Sequence, residues 1–152
     1  MTLCRALGGE VKLADRLSPD RRSWLMSRVR SKDTLPELIV RRMVHAMGYR
    51  YRLHAPDLPG KPDLTFRRLK KIIFVHGCFW HRHSRCAGAS VPKNNAEFWQ
   101  EKFRRNVARD KRTLRLLKSQ GWDVLVLWQC QTKNYQNLKL LLEGFLDEGK
   151  SS

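Results

Sequence analysis

Residues 62–86 read "PDLTFRRLKKIIFVHGCFWHRHSRC". An apolar triplet, Leu64–Phe66, and an apolar run, Ile72–Val75, flank a basic turn, "RRLKK". Two short β-prone runs around such a turn predict a strand hairpin or two neighbouring strands. Asp63 opens the first run and His76 closes the second. Neighbouring strand ends would bring that carboxylate close to the histidines. The loop that follows, "HGCFWHRHSRC", holds three histidines, two cysteines and a Phe-Trp pair.

Outward from this core the pattern is helical. Ser18-Pro19-Asp20 has the chemistry of a helix start: a capping hydroxyl, a proline in the first turn and an acid near the positive helix end. That helix is expected to end near Ser31. Thr34-Leu35-Pro36-Glu37 has capping-box spacing and opens a second helix that stops at Gly48. "YRYRLH" (49–54) alternates as a strand does, and "DLPGKPD" (57–63) is turn-rich. A long basic helix is expected from Asn95 to Gln120, with Gly121 as its stop. "WDVLVLW" (122–128) is apolar enough for a strand buried on both faces. "YQNLKLLLEGFL" (135–146) closes the chain as an amphipathic helix. Helices flanking central strands predict one α/β domain over residues 18–148, with an arm at 1–17 and a tail at 149–152.

Charge narrows the partner. The 152 residues carry 31 Lys+Arg against 14 Asp+Glu, a net +17. So large an excess repels itself unless it meets a polyanion, and nucleic acid is the first candidate. A membrane-surface protein would concentrate its charge on one amphipathic helix, whereas here it is spread along the chain. No signal peptide and no membrane-spanning apolar run is present, so the expected location is the cytoplasm, where thiols stay reduced. Four cysteines there read better as metal ligands than as disulfides.

Cys78, His83 and Cys86 give C-x4-H-x2-C, three ligands from one short loop. Zinc takes four such ligands in a tetrahedron. Cys130, directly after the apolar strand, would pin the loop to the core. His76 and His81 are alternative fourth ligands, and Cys4 lies in the N-terminal arm. The plain alternative is buried free thiols beside surface histidines. Asp63 has the chemistry to hold Mg2+, which prefers hard oxygen ligands. Asp is also a common turn residue, so its place beside His76 is what favours a site. A carboxylate, a hard metal and a histidine base together make a phosphodiester hydrolase.

Four segments, "LPGKPDL" (58–64), "FVHGCFWHRH" (74–83), "EFWQEKFRRNVARD" (97–110) and "GWDVLVLWQC" (121–130), resemble in order the very short patch repair (Vsr) DNA mismatch endonucleases. The resemblance spans Ser18 to Thr132. It implies a restriction-endonuclease-like three-layer fold, a central mixed sheet flanked by helices, with a structural zinc. The implied activity is a nick in one strand, 5' of the T in a T:G mismatch left by deamination of 5-methylcytosine. Carried over residue by residue, Asp63 matches the Mg2+-binding carboxylate, and Val75 the position whose backbone carbonyl helps bind that metal. His81 matches the histidine that activates water, His76 a supporting histidine and Glu37 an assisting helix carboxylate. Phe79, Trp80 and Trp99 match the aromatics that wedge into the duplex. Cys78, His83, Cys86 and Cys130 match the zinc ligands. Partners implied by the resemblance are mismatched double-stranded DNA, mismatch-repair proteins and a cytosine-5 methyltransferase system. The nucleoid would be the place of action. An asymmetric mismatch gives no two-fold reason to dimerise, so a monomer is expected.

The sequence departs from the wider nuclease superfamily, in which Pro-Asp is followed one strand later by an acid-x-Lys pair. Here that strand ends Val75-His76-Gly77. Two residues, Ser84 and Arg85, separate His83 from Cys86, a spacing that varies within the family. Plainer roles also fit several residues. Glu37 suits a capping box with Thr34, and Trp99 suits a helix anchor one turn before Phe103. Trp24, Trp122 and Trp128 read as core, and His45 and His54 as surface or packing residues. The helix "KFRRNVARDKRTLR" (102–115) suits phosphate contact better than a merely solvated face, since one acid opposes its many cations. A zinc-stabilised DNA-binding module and a restriction-type nuclease without mismatch preference are the alternative functions.

Overall fold

The computed structural model describes Ser18, Asp20, Arg21 and residues 32–148. Contacts divide the chain into Met1–Thr34 and Leu35–Ser152. In the first unit the Ser18 hydroxyl accepts the Arg21 backbone N–H at 3.3 Å, the capping contact expected there. Cys4, Trp24, most of the expected first helix and the tail from residue 149 lie outside the described residues.

The second unit is a mixed α/β fold. Its elements are α1 (Leu35–Ala46), β1 (Arg52–Leu53), β2 (Leu64–Phe66), β3 (Lys71–His76), α2 (Ala96–Ser119), β4 (Asp123–Trp128) and α3 (Tyr135–Asp147). The four strands form one sheet in the order β1-β2-β3-β4. β1 and β2 pair antiparallel, as do β2 and β3, whereas β3 and β4 run parallel. Parallel neighbours need a long crossover, and α2 supplies it.

Alternation along the strands sorts the core into two layers. Leu64, Phe66, Ile73 and Leu127 face α1 and α3, where Val40, Met43, Val44, Leu138, Leu142 and Leu146 complete one buried cluster. Ile72 and Phe74 face the other way, onto Leu117 and Trp122, with Leu114, Val124 and Val126 at the margin. At roughly 1.5–3 kcal/mol per fully buried aliphatic or aromatic side chain, these layers are the main favourable term holding the sheet between its helices. Lys71, drawn into the sheet by the register of β3, is buried too. Its ammonium donates to the Phe145 carbonyl and lies 4.6 Å from the Phe145 ring.

Two expectations are corrected. The strand expected across residues 49–54 shortens to Arg52–Leu53, because only these two residues pair with β2. β4 is not buried on both faces: it ends the sheet among the described residues, and Leu127 alone is fully covered. Two glycines do what the turns require. Gly121 ends α2 at φ +86°, where its N–H reaches the Lys118 carbonyl. Gly60 sits at φ +74°, and a Cβ there would lie 2.5 Å from Thr113 Cγ2 on α2. The turn before Asp63 therefore needs glycine for both its dihedral and its clearance.

Candidate active site and thiol cluster

The antiparallel register of β2 and β3 builds the first site. Leu64 pairs with Ile73, so Asp63, one residue earlier, falls opposite Phe74 and within side-chain reach of Val75. Asp63 Oδ2 accepts the Val75 backbone N–H at 2.7 Å. Burial pushes this carboxyl up to about 6, Val75's N–H opposes that shift, and the nearby Glu37 carboxylate adds to it. The charges of Arg41 and His81 act on Asp63 in the opposite sense. Five groups from four segments thus meet electrostatically.

Glu37 comes from the buried face of α1 and is 3% exposed. Its Oε2 accepts from Arg41 NH2, one helical turn on, at 3.1 Å. His54 lies between the acids, 3.9 Å from Glu37 Oε2 and 3.9 Å from Asp63 Oδ1. His54 is therefore not a bland packing residue. It became a site residue because it follows β1 directly, opposite Asp63.

His76 ends β3 and is buried. His81 folds back from the loop and stacks on it, with ring centroids 3.9 Å apart and planes 9° from parallel. Burial lowers His76 to about 4, and the neighbouring His81 pushes in the same direction. His81 Nδ1 meets Asp110 Oδ2 at 2.6 Å. This carboxylate, on α2, was missed in the sequence because it reads as one acid within the basic stretch 102–115. Its signal was its place: an acid among the cations of 102–115, on a face turned toward the loop. A histidine with Nδ1 bonded to a carboxylate has its other nitrogen available to accept a proton, an arrangement suited to general-base chemistry.

The second site is made of thiols. One ligand-type atom each from Cys78, His83, Cys86 and Cys130 lies within 4.8 Å of the others. Both Cys78 Sγ and Cys130 Sγ approach His83 Nδ1, at 3.7 and 3.4 Å. A tetrahedral ion with bonds of about 2.0–2.3 Å needs donors spaced roughly 3.5 Å apart, so the set fits one. The local geometry is prepared for it. The His83 ring stacks on Trp128 at 4.3 Å, and the turn at Gln129–Lys133 carries Cys130. Trp128 is thus a support for this cluster rather than plain core. The Gly88 backbone N–H holds Cys86 below the ordinary thiol range, whereas burial and the adjacent Cys78 push Cys130 up to about 11.

Between the two sites the loop carries its aromatics. Phe79 meets Trp99 and Phe103 edge-on, with centroids at 5.7 and 5.1 Å, and Trp80 lies 6.1 Å from Trp99. Phe79 and Trp80 are half-buried and Trp99 is buried, so in this structure the rings form one cluster rather than standing free. The Asn106 side chain donates to the Trp80 carbonyl at 3.2 Å and ties the loop to α2. Arg104, Arg105, Arg109, Lys111, Arg112 and Arg115 expose their cations along the same helix.

The profile of the family described as DNA mismatch endonuclease Vsr matches residues 14–87. The type II nicking enzyme V.XorIIP of Xanthomonas oryzae pv. oryzae is 47% identical over 135 residues, 89% of this chain and 98% of the relative. The type II nicking enzyme V.NmeAIP of Neisseria meningitidis is 38% identical over 122 residues, 80% and 86% of the two chains. DNA mismatch endonuclease Vsr of Escherichia coli is 37% identical over 117 residues, 77% and 74% of the two chains. A nuclease-like site on a sheet clasped by a basic helix thus coincides with sequence kinship along most of the chain. The chain belongs to the Vsr family of DNA endonucleases.

Proposed function

We propose that this protein nicks one strand of a T:G-mismatched duplex, 5' of the T, and so opens very short patch repair. The observation that carries the reading is the His81–Asp110 pair at 2.6 Å, on the same site as the Asp63 carboxylate. Asp63 and the Val75 carbonyl would hold Mg2+, with Glu37 assisting. The ion, when bound, neutralises phosphate charge in the transition state. His81 takes a proton from the attacking water at Nε2, while Asp110 holds Nδ1–H and stabilises the imidazolium that forms. Water's oxygen bonds to phosphorus as the P–O bond to one flanking sugar breaks, and the leaving sugar oxygen takes a proton from solvent. His76, kept neutral by burial, packs the base in place.

Cys78, His83, Cys86 and Cys130 would hold a structural zinc. All four positions are protein ligands, so that centre would take no part in the chemistry. The restriction-endonuclease-like architecture is supported by a mixed sheet with helices on both faces. Phe79, Trp80 and Trp99 supply the wedge. A mismatched step stacks poorly, so opening it takes less than the few kcal/mol of a matched one. The exposed cations of α2 suit backbone phosphates. A strand-nicking reaction also agrees with the names of the Xanthomonas and Neisseria relatives.

The test uses purified protein, Mg2+ and two labelled duplexes that differ only in carrying T:G or C:G. Several flanking sequences should be included. Cleavage confined to the T-containing strand of the mismatched duplex is expected. Equal cleavage of both duplexes would replace the mismatch reading with a restriction-type nuclease. Salt-sensitive binding without cleavage in any sequence would leave only a DNA-binding module.

A further inference from the structure

Arg41 and His54 stand behind the acids and have no part in the proton transfer at His81. Arg41 is buried, donates to Glu37 at 3.1 Å and also lies 3.0 Å from His54 Nε2. A guanidinium has donors only. The 3.0 Å contact is a hydrogen bond only when His54 Nε2 carries a lone pair, which puts the ring proton on Nδ1. Nδ1 is the atom facing Asp63 Oδ1, at 3.9 Å. The backbone supports the same aim. His54 sits at φ +45°, a left-handed conformation that is uncommon for a residue with a Cβ. Its N–H points to the Asp63 carbonyl at 3.4 Å, so the strain is spent beside the acid rather than in a free turn.

We propose that His54, held by Arg41 as its Nδ1–H tautomer, is a positioning residue that fixes Asp63 and couples it to Glu37. Asp63 then accepts the Val75 N–H at Oδ2 and has His54 Nδ1 3.9 Å from Oδ1. Glu37 is gripped by Arg41. The four side chains form one chain, Glu37–Arg41–His54–Asp63, that presets the spacing of the two carboxylates. The inference rests on the reading of Asp63 as a metal-binding carboxylate. Residues that orient a ligand in this way typically change metal affinity or activity by roughly 10- to 100-fold.

Two measurements test it. Long-range 15N–1H NMR correlations of the protein's five histidines identify each tautomer. His54 is expected as Nδ1–H in the wild type and as a tautomer mixture in Arg41→Gln. Nε2–H in the wild type would overturn the proposal. Nicking is then titrated with Mg2+. His54→Leu should raise the Mg2+ concentration for half-maximal rate by about tenfold, with kcat at saturation changed by less than about threefold. His54→Gln, which keeps an amide donor and acceptor, should recover most of the loss. An unchanged Mg2+ requirement in His54→Leu, or equal loss in both variants, would overturn it. The tautomer is read without any cleavage, so failure of the nuclease reading and failure of this inference remain distinguishable.

Discussion

The two His-containing sites of this protein both draw on the loop that follows β3 and differ in nearly every physical respect. The cluster at Cys78, His83, Cys86 and Cys130 offers soft donors, all from the protein, drawn in from both ends of the β3–α2–β4 crossover. The site at Asp63, Glu37, His76 and His81 offers hard oxygens and imidazoles that interact without closing on one point. In the proposed function the first would be a closed centre, and the second would leave coordination and proton-accepting positions for a substrate. Ligand type and closure, not the presence of histidine, separate a structural role from a chemical one.

Substituting each side puts this contrast at risk. Asp63→Ala should remove detectable nicking and leave duplex binding within about twofold, read by gel shift alongside the cleavage assay. Binding lost together with cleavage would show that Asp63 shapes the fold instead. His81→Ala should lower kcat by roughly 10²–10⁴-fold, the usual worth of a general base. Asp110→Asn should fall part of the way, since it loses the partner of Nδ1 and keeps the imidazole. On the thiol side, Cys130→Ser should act on stability. A loss of about 3–5 kcal/mol lowers Tm by roughly 6–20 °C in a chain of this size. Nicking measured well below that Tm should drop far less than in His81→Ala. If Cys130→Ser cripples turnover at full folding, the two sites are not separate.

Much of this contrast was legible in the sequence. Spacing offered three ligands of the thiol cluster within nine residues and left the fourth open among Cys130, His76 and His81, and the family resemblance implied Cys130. The β2–β3 pair was legible from its turn, and Asp63 from its place at the strand start. Other partners were not. Asp110, Arg41 and His54 belong to segments whose local patterns already explain them: a basic helix, an amphipathic helix and a strand end. Only packing α1 and α2 on opposite sheet faces turns them toward the acids and imidazoles. The packing of the aromatic loop was hidden for a similar reason. The resemblance implied rings that enter a duplex, and the structure adds that Phe79 and Trp80 pack against Trp99 and Phe103.

Smaller effects refine the contrast. The metal-free Asp63 carboxyl is pushed up to about 6 by burial. The folded state therefore holds a proton there that the unfolded chain has released, and stability falls as pH rises from about 4 through 6. Asp63→Asn should be more stable than wild type by on the order of 2 kcal/mol at pH 7.5, with the advantage vanishing near pH 4. Denaturant titrations at the two pH values check this; equal stability at both would mean that burial does not strain the acid. Trp80→Ala should reduce the preference for mismatched over matched duplex by about tenfold, from the stacking of one ring. Competition binding would measure it, and an unchanged preference would remove Trp80 from the wedge.

The parallel β3–β4 pair has a consequence in time as well as in space. His83 and Cys130 are 47 residues apart in sequence and become neighbours only when α2 has been laid down and β4 has found β3. Contacts of that separation form slowly, because the loop must close before it is rewarded. A metal ion offered during refolding would therefore meet an incomplete ligand set until the crossover is made. Once captured, it would act as a staple across the longest connection in the sheet. The rate of ion uptake should then report the closing of that crossover rather than the affinity of the finished site.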